Sequence, residues 1–386
     1  MPLPIHEDLW RITGTAKALA IFGASRIVVL MGIAFSMGHI PANSAPGHWN
    51  IAEPWRYLLR FDSGYYLDIA AFGYGYSGNP LEPQRIVFFP GYPILFASIG
   101  RMLRISLPLS AVLVSNLCAA GAAVLLFWLV ARLWDRDIAL LTIAAVSLFP
   151  ASLFLSAAYS ESAALLFTVA AFACIFRGRM VLAAICAGCL SGIRPLGFLL
   201  SIPLIYAIWR ENGRRFSIRF LGHAGAAGIT AVSGLLGFIA YCWIKFHDPL
   251  AFVHARAAWR GETGLPAGHA ALRQLGARVD LHYLPNLSDA WFFLVFAGIA
   301  MAVWKRMPME LNLYTAATFL ALLGTRVFQE QGFVSMNRYL LLIFPCMIGM
   351  ALIAARRVWL SISAAAVFGA MLFMHAALFA QWYWAG

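Results

Sequence analysis

Charge is what this chain has least of. Only 11% of its 386 residues are Asp, Glu, Lys or Arg, where an ordinary soluble domain carries about 25%. Hydrophobic residues make up 62%, and apolar runs long enough to cross a bilayer, at roughly 20 residues each, recur along the whole chain. That combination excludes an ordinary soluble fold. Lysine is nearly absent as well: Lys17, Lys245 and Lys305 are all there are, so arginine carries the net charge of +12. With abundant alanine, this bias points to a GC-rich bacterial genome. The cations sit in small groups between apolar runs and form neither a stripe nor a tail, which argues against a nucleic-acid binder and marks them as topology signals. Cysteine is confined to apolar segments (Cys118, Cys174, Cys186, Cys189, Cys242 and Cys346). Disulfides are therefore not expected, and Cys186 with Cys189 reads as helix packing. A cleavable signal peptide is not expected either, because "MPLPIHEDLWRITGTAK" is polar and the first apolar stretch runs on to spanning length.

Spanning stretches lie near 16–38, 107–130, 138–158, 220–246, 311–328, 339–354 and 358–379, with shorter ones near 162–176 and 289–304. The stretch 180–209 is too long for one crossing, and "GIRPLG" interrupts it, which predicts two short helices meeting at Arg194 and Pro195. The segment 86–104 either spans or lies along the interface as an amphipathic helix. Short cytoplasmic loops accumulate Lys and Arg, and long translocated loops are exempt. If 86–104 lies flat outside, the short inner loops hold Arg132 with Arg136, Arg177 with Arg179, Arg210 with Arg214, Arg215 and Arg219, Lys305 with Arg306, and Arg356 with Arg357. A crossing there would turn all of these clusters outward. The expected architecture is an all-α polytopic membrane protein, one integral membrane domain over 1–386, with about eleven crossings and the N-terminus inside. Residues 39–106 form its first extracytoplasmic loop, carrying juxtamembrane helices, and 247–288 a second long outer segment. The outer face then gathers loop 39–106, "YSES" at 159–162, the Arg194 apex, 247–288 and "FQEQGFVSMNRY" at 328–339.

An ionised group at mid-bilayer costs on the order of 2.5 to 3.5 kcal/mol, so sparse charges in such a chain are kept where they have work to do. "RFDSGYYLDIAAFGYGY" at 60–76 places Asp62 and Asp68 among aromatic rings. Asp62 either serves a reaction or caps the helix that "YYLDIA" begins. Asp68 either joins it, points to water or pairs with an arginine. Glu161 has the same two readings as Asp62, at the start of "ESAALLF". "FHDPLAFVHARAAWR" at 246–260 predicts an outer amphipathic helix, and the spacing of His247, Asp248 and His254 matches no tight zinc motif. Arg26 has no assignable role beyond pairing inside the bundle.

Five segments in order, "FDSGYYLDIAAFGYGY", "FFPGYPIL", "FPASLFLSAAYSESAALLF", "GCLSGIRPLG" and "MNRYLLLIFP", run from about position 55 to 345. Together they resemble the GPI mannosyltransferase 2 (PIG-V) family and its bacterial relatives, within the GT-C superfamily of integral membrane glycosyltransferases. The resemblance implies a GT-C-type bundle that moves a hexose, expected to be mannose, from a polyprenyl-phosphate donor to an acceptor hydroxyl on the extracytoplasmic side. Asp62 stands at the family's first-loop acid, and as general base in a single displacement it would invert the anomeric carbon. "Tyr-Ser-Glu" corresponds to Tyr159, Ser160 and Glu161; the arginine-glycine segment to Arg194 and Gly197; the late "Arg-Tyr" to Arg338 and Tyr339. Arg60 and Phe61 depart from the pattern, since tryptophan or histidine often stands beside the first aspartate.

Arg194, Arg338 and Arg85 are the expected phosphate partners, because guanidinium binds phosphate oxygens bidentately. Arg338 could instead be an outer-edge arginine that snorkels. Glu161 would orient the acceptor or support Asp62, and Asp68 would join the substrate contacts. Tyr65, Tyr66, Phe88, Phe89 and Tyr92 either stack on sugar faces or form an interfacial belt. No cofactor is expected beyond the lipid-linked sugar; the arginines can suffice without a metal, and a divalent ion is left open. The expected partners are the bilayer, polyprenyl-phosphate-mannose and an acceptor that is a glycan, a lipid or a protein. The expected location is a bacterial inner membrane with the site facing the periplasm. A flippase would show repeated halves, which are not evident. A ligase for diphosphate-linked glycans would lean on a large late loop rich in arginine and histidine. A membrane scaffold would have no use for Asp62, Glu161, Arg194 and Arg338 on one face.

Overall fold

A computed structural model describes residues 5–43, 53–259, 284–327 and 333–385. Positions 44–52 of the first loop, 260–283 of the second outer segment and 328–332 of "FQEQG" lie outside the described residues. Lipid offers no hydrogen bonds, so a backbone that crosses it must satisfy its own groups. Among the described residues there are helices and no strand. In chain order the helices are α1 Ile5–His39, α2 Ser63–Phe72, α3 Gly91–Leu103, α4 Leu107–Leu133, α5 Arg136–Leu148, α6 Glu161–Ile175, α7 Met180–Ile193 and α8 Ser201–Glu211. They continue as α9 Ile218–Phe246, α10 Ala251–His254, α11 Leu284–Val303, α12 Met309–Leu322, α13 Met336–Leu340, α14 Phe344–Ala354 and α15 Val358–Ala380. Among the described residues, five stretches are long and apolar enough to cross a membrane: Ile12–His39, Leu107–Leu133, Ile218–Phe246, Ser288–Arg306 and Val358–Ala380. Glu161–Ile175, Met180–Ile193 and Phe344–Ala354 are apolar but shorter.

Proline divides several of the runs. The stretch 180–209 breaks where expected: α7 ends at Ile193, Arg194 is extended, and a 3₁₀ turn Pro195–Leu200 leads into α8. The run 138–158 is not one helix as its hydropathy suggests. α5 stops at Leu148, and a 3₁₀ turn Pro150–Leu155 follows, because Pro150 has no N–H to continue the ladder. The run 339–354 likewise divides into α13 and α14, with Pro345 in the first turn of α14. The outer amphipathic helix expected over 246–260 is reduced to the single turn α10 and a 3₁₀ turn Ala255–Trp259.

The break after α5 explains Arg26. Its Nη1 donates to Ser152 O at 2.7 Å and to Ser156 Oγ at 3.1 Å, and its Nη2 donates to Ser147 O at 2.9 Å and Ser152 Oγ at 3.0 Å. A long cation from α1 thus satisfies carbonyls that the broken helix leaves over.

The segment 86–104 contributes α3, whose 13 residues extend only about 20 Å at 1.5 Å each. That is short of the roughly 30 Å hydrocarbon core. Turns at one end of the bundle interlock. Trp128 Nε1 donates to Thr15 Oγ1 at 2.9 Å, and Arg210 in the last turn of α8 pairs with the buried Glu310 in the first turn of α12. Contacts at the other end tie Asn43 N to Gln381 O at 2.9 Å and Arg60 Nε to Ala380 O at 3.1 Å. The arginine-rich turns occupy the first end. Asp62, Glu161, Arg194 and Arg338 occupy the second.

Near Arg194 three backbones touch. A Cβ on Gly234 of α9 would overlap the main chain of Gly192 and Gly188 in α7. One on Gly91 at the start of α3 would lie 2.7 Å from Ile193 Cγ1 and 2.8 Å from Gly192 O. Only glycine allows approaches this close.

Candidate functional site: an acid and arginine cluster

The polar end of the bundle closes around four charged side chains. Arg338 Nη1 donates to Asp62 Oδ2 at 2.9 Å, and its Nε donates to Glu161 Oε1 at 2.7 Å. Arg194 Nη2 donates to the same Glu161 oxygen at 2.8 Å. The chain order is therefore Asp62, Arg338, Glu161, Arg194, two negative charges against two positive. Burial deepens toward the middle: the side chains of Asp62, Arg194 and Arg338 are 16%, 12% and 9% exposed, and Glu161 is wholly enclosed. An enclosed carboxylate is tolerable only with such partners, because removing a charge from water unpaired costs several kcal/mol.

This arrangement speaks against the cap reading of Asp62. Asp62 precedes α2 in helical conformation with φ −58° and ψ −20°, and its side chain makes no cap bond to the helix. Its carboxylate turns to Arg338 instead. Glu161 opens α6, and its Oε1 takes two guanidinium bonds. Arg338 is no snorkelling edge residue, since it is buried. Its guanidinium carbon lies 4.9, 4.7 and 5.4 Å from the ring centroids of Phe154, Tyr159 and Trp384, within cation–π range. Arg194 stacks 5.2 Å over Tyr339 and donates through Nε to Ser160 Oγ at 3.2 Å. Glu161 Oε2, Arg194 Nη1 and Ser63 Oγ are buried with no hydrogen-bond partner among the described residues.

Both segments of chain that deliver Asp62 and Arg338 arrive through left-handed backbone. Phe61, just before Asp62, has φ 51°, and Ser335, just before α13, has φ 63°. A bulky residue there is strained by about 1–3 kcal/mol and persists only where its surroundings fix it. Phe61 is fixed by Phe379, Trp382 and Trp384, with ring centroids 5.6, 5.3 and 5.0 Å away. Trp384 also donates from Nε1 to Ser335 Oγ at 3.2 Å, so one indole braces both left-handed residues.

The tyrosines support the cluster from behind. Tyr159 accepts Asp62 N–H at 3.2 Å and donates to Arg60 O at 3.1 Å. Tyr66 OH donates to Ser160 Oγ at 3.0 Å. Tyr92 has no exposed surface, and its hydroxyl donates to Ala111 O at 2.9 Å. Tyr92 and Tyr159 therefore have no open ring face, which corrects the reading of Tyr92 as a sugar-stacking ring. Tyr65 stacks on Phe88 with centroids 4.9 Å apart. Phe89 is buried against Phe238 and Phe252. Asp68 and Arg85 lie outside the ion-pair cluster; Arg85 Nη1 reaches the main-chain carbonyl of Asp68 at 3.5 Å. Sequence reasoning missed the rings of Phe154 and Trp384 and the joining role of Ser160.

A second polar group lies beside the site end. Asp248 accepts from Tyr76 OH at 3.0 Å and Leu250 N at 3.0 Å, and its Oδ2 is 2.8 Å from His254 Nδ1. Slight burial opposes its charge, but the bonds from His254, Leu250 and Tyr76 outweigh it and hold its carboxyl below the usual range.

Residues 47–207 match a family model described as mannosyltransferase (PIG-V). Over these residues, less than half of the chain, it is similar to the PIG-V mannosyltransferases. The matched residues include Asp62, Glu161 and Arg194, and the family resemblance read from the sequence motifs is borne out over this part of the chain. Arg338 lies beyond the PIG-V match. No curated protein matches the chain. Among solved structures, the oligosaccharyltransferase of Archaeoglobus fulgidus in apo form is similar at 13% identity, with TM-score 0.48, over 96% of this chain and 56% of that one. The archaeal oligosaccharyltransferase AglB from Archaeoglobus fulgidus, in complex with an inhibitory peptide and a dolichol-phosphate, is similar at 12% identity, with TM-score 0.48, over 98% and 56%. The chain spans about half the length of these proteins.

Proposed function

We propose that this protein is a GT-C-type glycosyltransferase that moves mannose from a polyprenyl-phosphate donor to an acceptor hydroxyl, with inversion, at the extracytoplasmic end of the bundle. The observation that carries the reading is Asp62. It is the least enclosed member of a charge-balanced cluster, it leaves its own helix uncapped, and it falls within the PIG-V match. The cluster lies at the end opposite the arginine-rich turns, as expected if about eleven crossings in a bacterial inner membrane place those turns inside.

In this reading Asp62 takes the proton from the acceptor hydroxyl as its oxygen bonds to the anomeric carbon, and the bond from that carbon to the phosphate oxygen breaks with its electron pair leaving on phosphate. The donor phosphate offers Arg338 a competing anion, and drawing Arg338 toward phosphate frees the Asp62 carboxylate to face the acceptor hydroxyl when a donor is present. Arg194 holds its place through Glu161, Ser160 and Tyr339, and its unpartnered Nη1 is available to a phosphate oxygen. Arg85 and Asp68 belong to the outer approach, where Tyr65 and Phe88 supply ring surface.

The test is purified protein in lipid with polyprenyl-phosphate-mannose and candidate acceptors. Release of free polyprenyl monophosphate together with an inverted mannoside supports the reading. A flippase would release none, and a ligase would require a diphosphate-linked donor. Undiminished transfer by Asp62→Asn would remove the base assignment.

A further inference from the structure

We infer that Asp289, an acid inside the apolar helix α11, is a positioning residue for Arg338. Asp289 is fully buried. Its Oδ1 accepts the main-chain N–H of Asn337 at 2.8 Å, and the neighbouring Ser288 Oγ accepts from Asn337 Nδ2 at 3.1 Å. Asn337 has no exposed surface, and the next residue is Arg338. The carboxylate therefore fastens the main chain one residue before the guanidinium that joins Asp62 to Glu161.

The fold gives this fastening a purpose. α13 has five residues, far below the roughly 12 at which a helix begins to hold itself. It is preceded by the left-handed Ser335 and followed by the break before Pro345. Its place is set from outside, by Asp289 on one side and by Trp384 bonding to Ser335 on the other. A carboxylate accepts an amide bond more strongly than a neutral oxygen does, and an acid is expensive to keep in an apolar helix unless its position has a use. Arg338 meets Asp62 and Glu161 from 276 and 177 residues away along the chain, so a small shift of α13 takes the guanidinium out of reach of both.

Modification of the full-length protein in detergent by phenylglyoxal, read arginine by arginine by mass spectrometry, tests this without any substrate. Arg338 is shielded in the native chain, and the exposed Arg214 serves as the internal standard. Asp289→Leu should raise the modification rate of Arg338 about tenfold with Arg214 unchanged, while Asp289→Asn, which keeps an oxygen acceptor for the Asn337 amide, should leave Arg338 shielded. If Asp289→Leu does not fold, Asp289→Ala takes its place with the same expected rise. Equal shielding of Arg338 in the folded leucine or alanine variant overturns the assignment, as does exposure of Arg338 in Asp289→Asn to the same extent. Where transfer can be assayed, an unmasked Arg338 with lowered kcat supports both this inference and the reaction proposed above. An unmasked Arg338 with unchanged transfer upholds the positioning role and removes Arg338 from that reaction.

Discussion

Two arginines set within the same bundle, Arg26 half-buried and Arg338 buried, are held in different ways. Arg26 is surrounded by serine hydroxyls and main-chain carbonyls. Arg338 is surrounded by two carboxylates and three aromatic rings. Neutral acceptors leave a guanidinium's charge in place and use its reach, which suits a splint across a broken helix. Carboxylates cancel the charge, and a cancelled pair is a stored arrangement that an incoming anion can open. The partners therefore separate the splint from the cation to which the proposed reaction gives a role.

The sharpest way to break that contrast is at its reactive side. Asp62→Asn removes the proposed base and should lower transfer by about 10²- to 10⁴-fold, with the melting profile in detergent retained; turnover measured against wild type decides it. Arg338→Leu leaves Asp62 and the enclosed Glu161 without their shared cation, and loss of one partner of a buried pair costs about 3–5 kcal/mol. Its denaturation midpoint should fall clearly. Arg26→Met should cost less, about 1–3 kcal/mol, because it strands neutral carbonyls and no charge. In that variant transfer by the folded fraction should stay near wild type, and a loss as large as that of Asp62→Asn would abolish the distinction. The smallest effect is one of pH. Asp248 has a lowered carboxyl, so its contribution is present above its free value of about 3.9 and is lost as pH falls through the lowered one. The stability difference between wild type and Asp248→Asn should be flat at neutral pH and close only in acid.

Much of the helix pattern is legible in the sequence, because apolar runs have few other uses. The break at Arg194 and Pro195 is legible too, since an arginine beside a proline interrupts a run too long for one crossing. The breaks at Pro150 and Pro345 are harder to see, because both prolines stand inside runs whose hydropathy never falters. At the site, Asp62, Glu161, Arg194 and Arg338 stand out as charges in an apolar chain, but their pairing does not. Nothing local connects Arg338 to a carboxylate 276 residues before it. Tyr92 reads as a sugar-stacking or belt ring because its segment is expected at the interface, yet α3 turns it inward, where its hydroxyl bonds to α4. Asp289 reads as the polar edge of a span, and only the fold brings the Asn337 amide to it.

The contact among Gly91, Gly192 and Gly234 bears on how the molecule can move. Where main chain rests on main chain, no side chain is left to absorb a displacement, so a tilt of α9 must pass into α7 and α3. Arg194 rides at the tip of α7, two residues beyond that fulcrum. Any hinge in this bundle must then lie elsewhere, and the guanidinium beside the fulcrum is held in place with it.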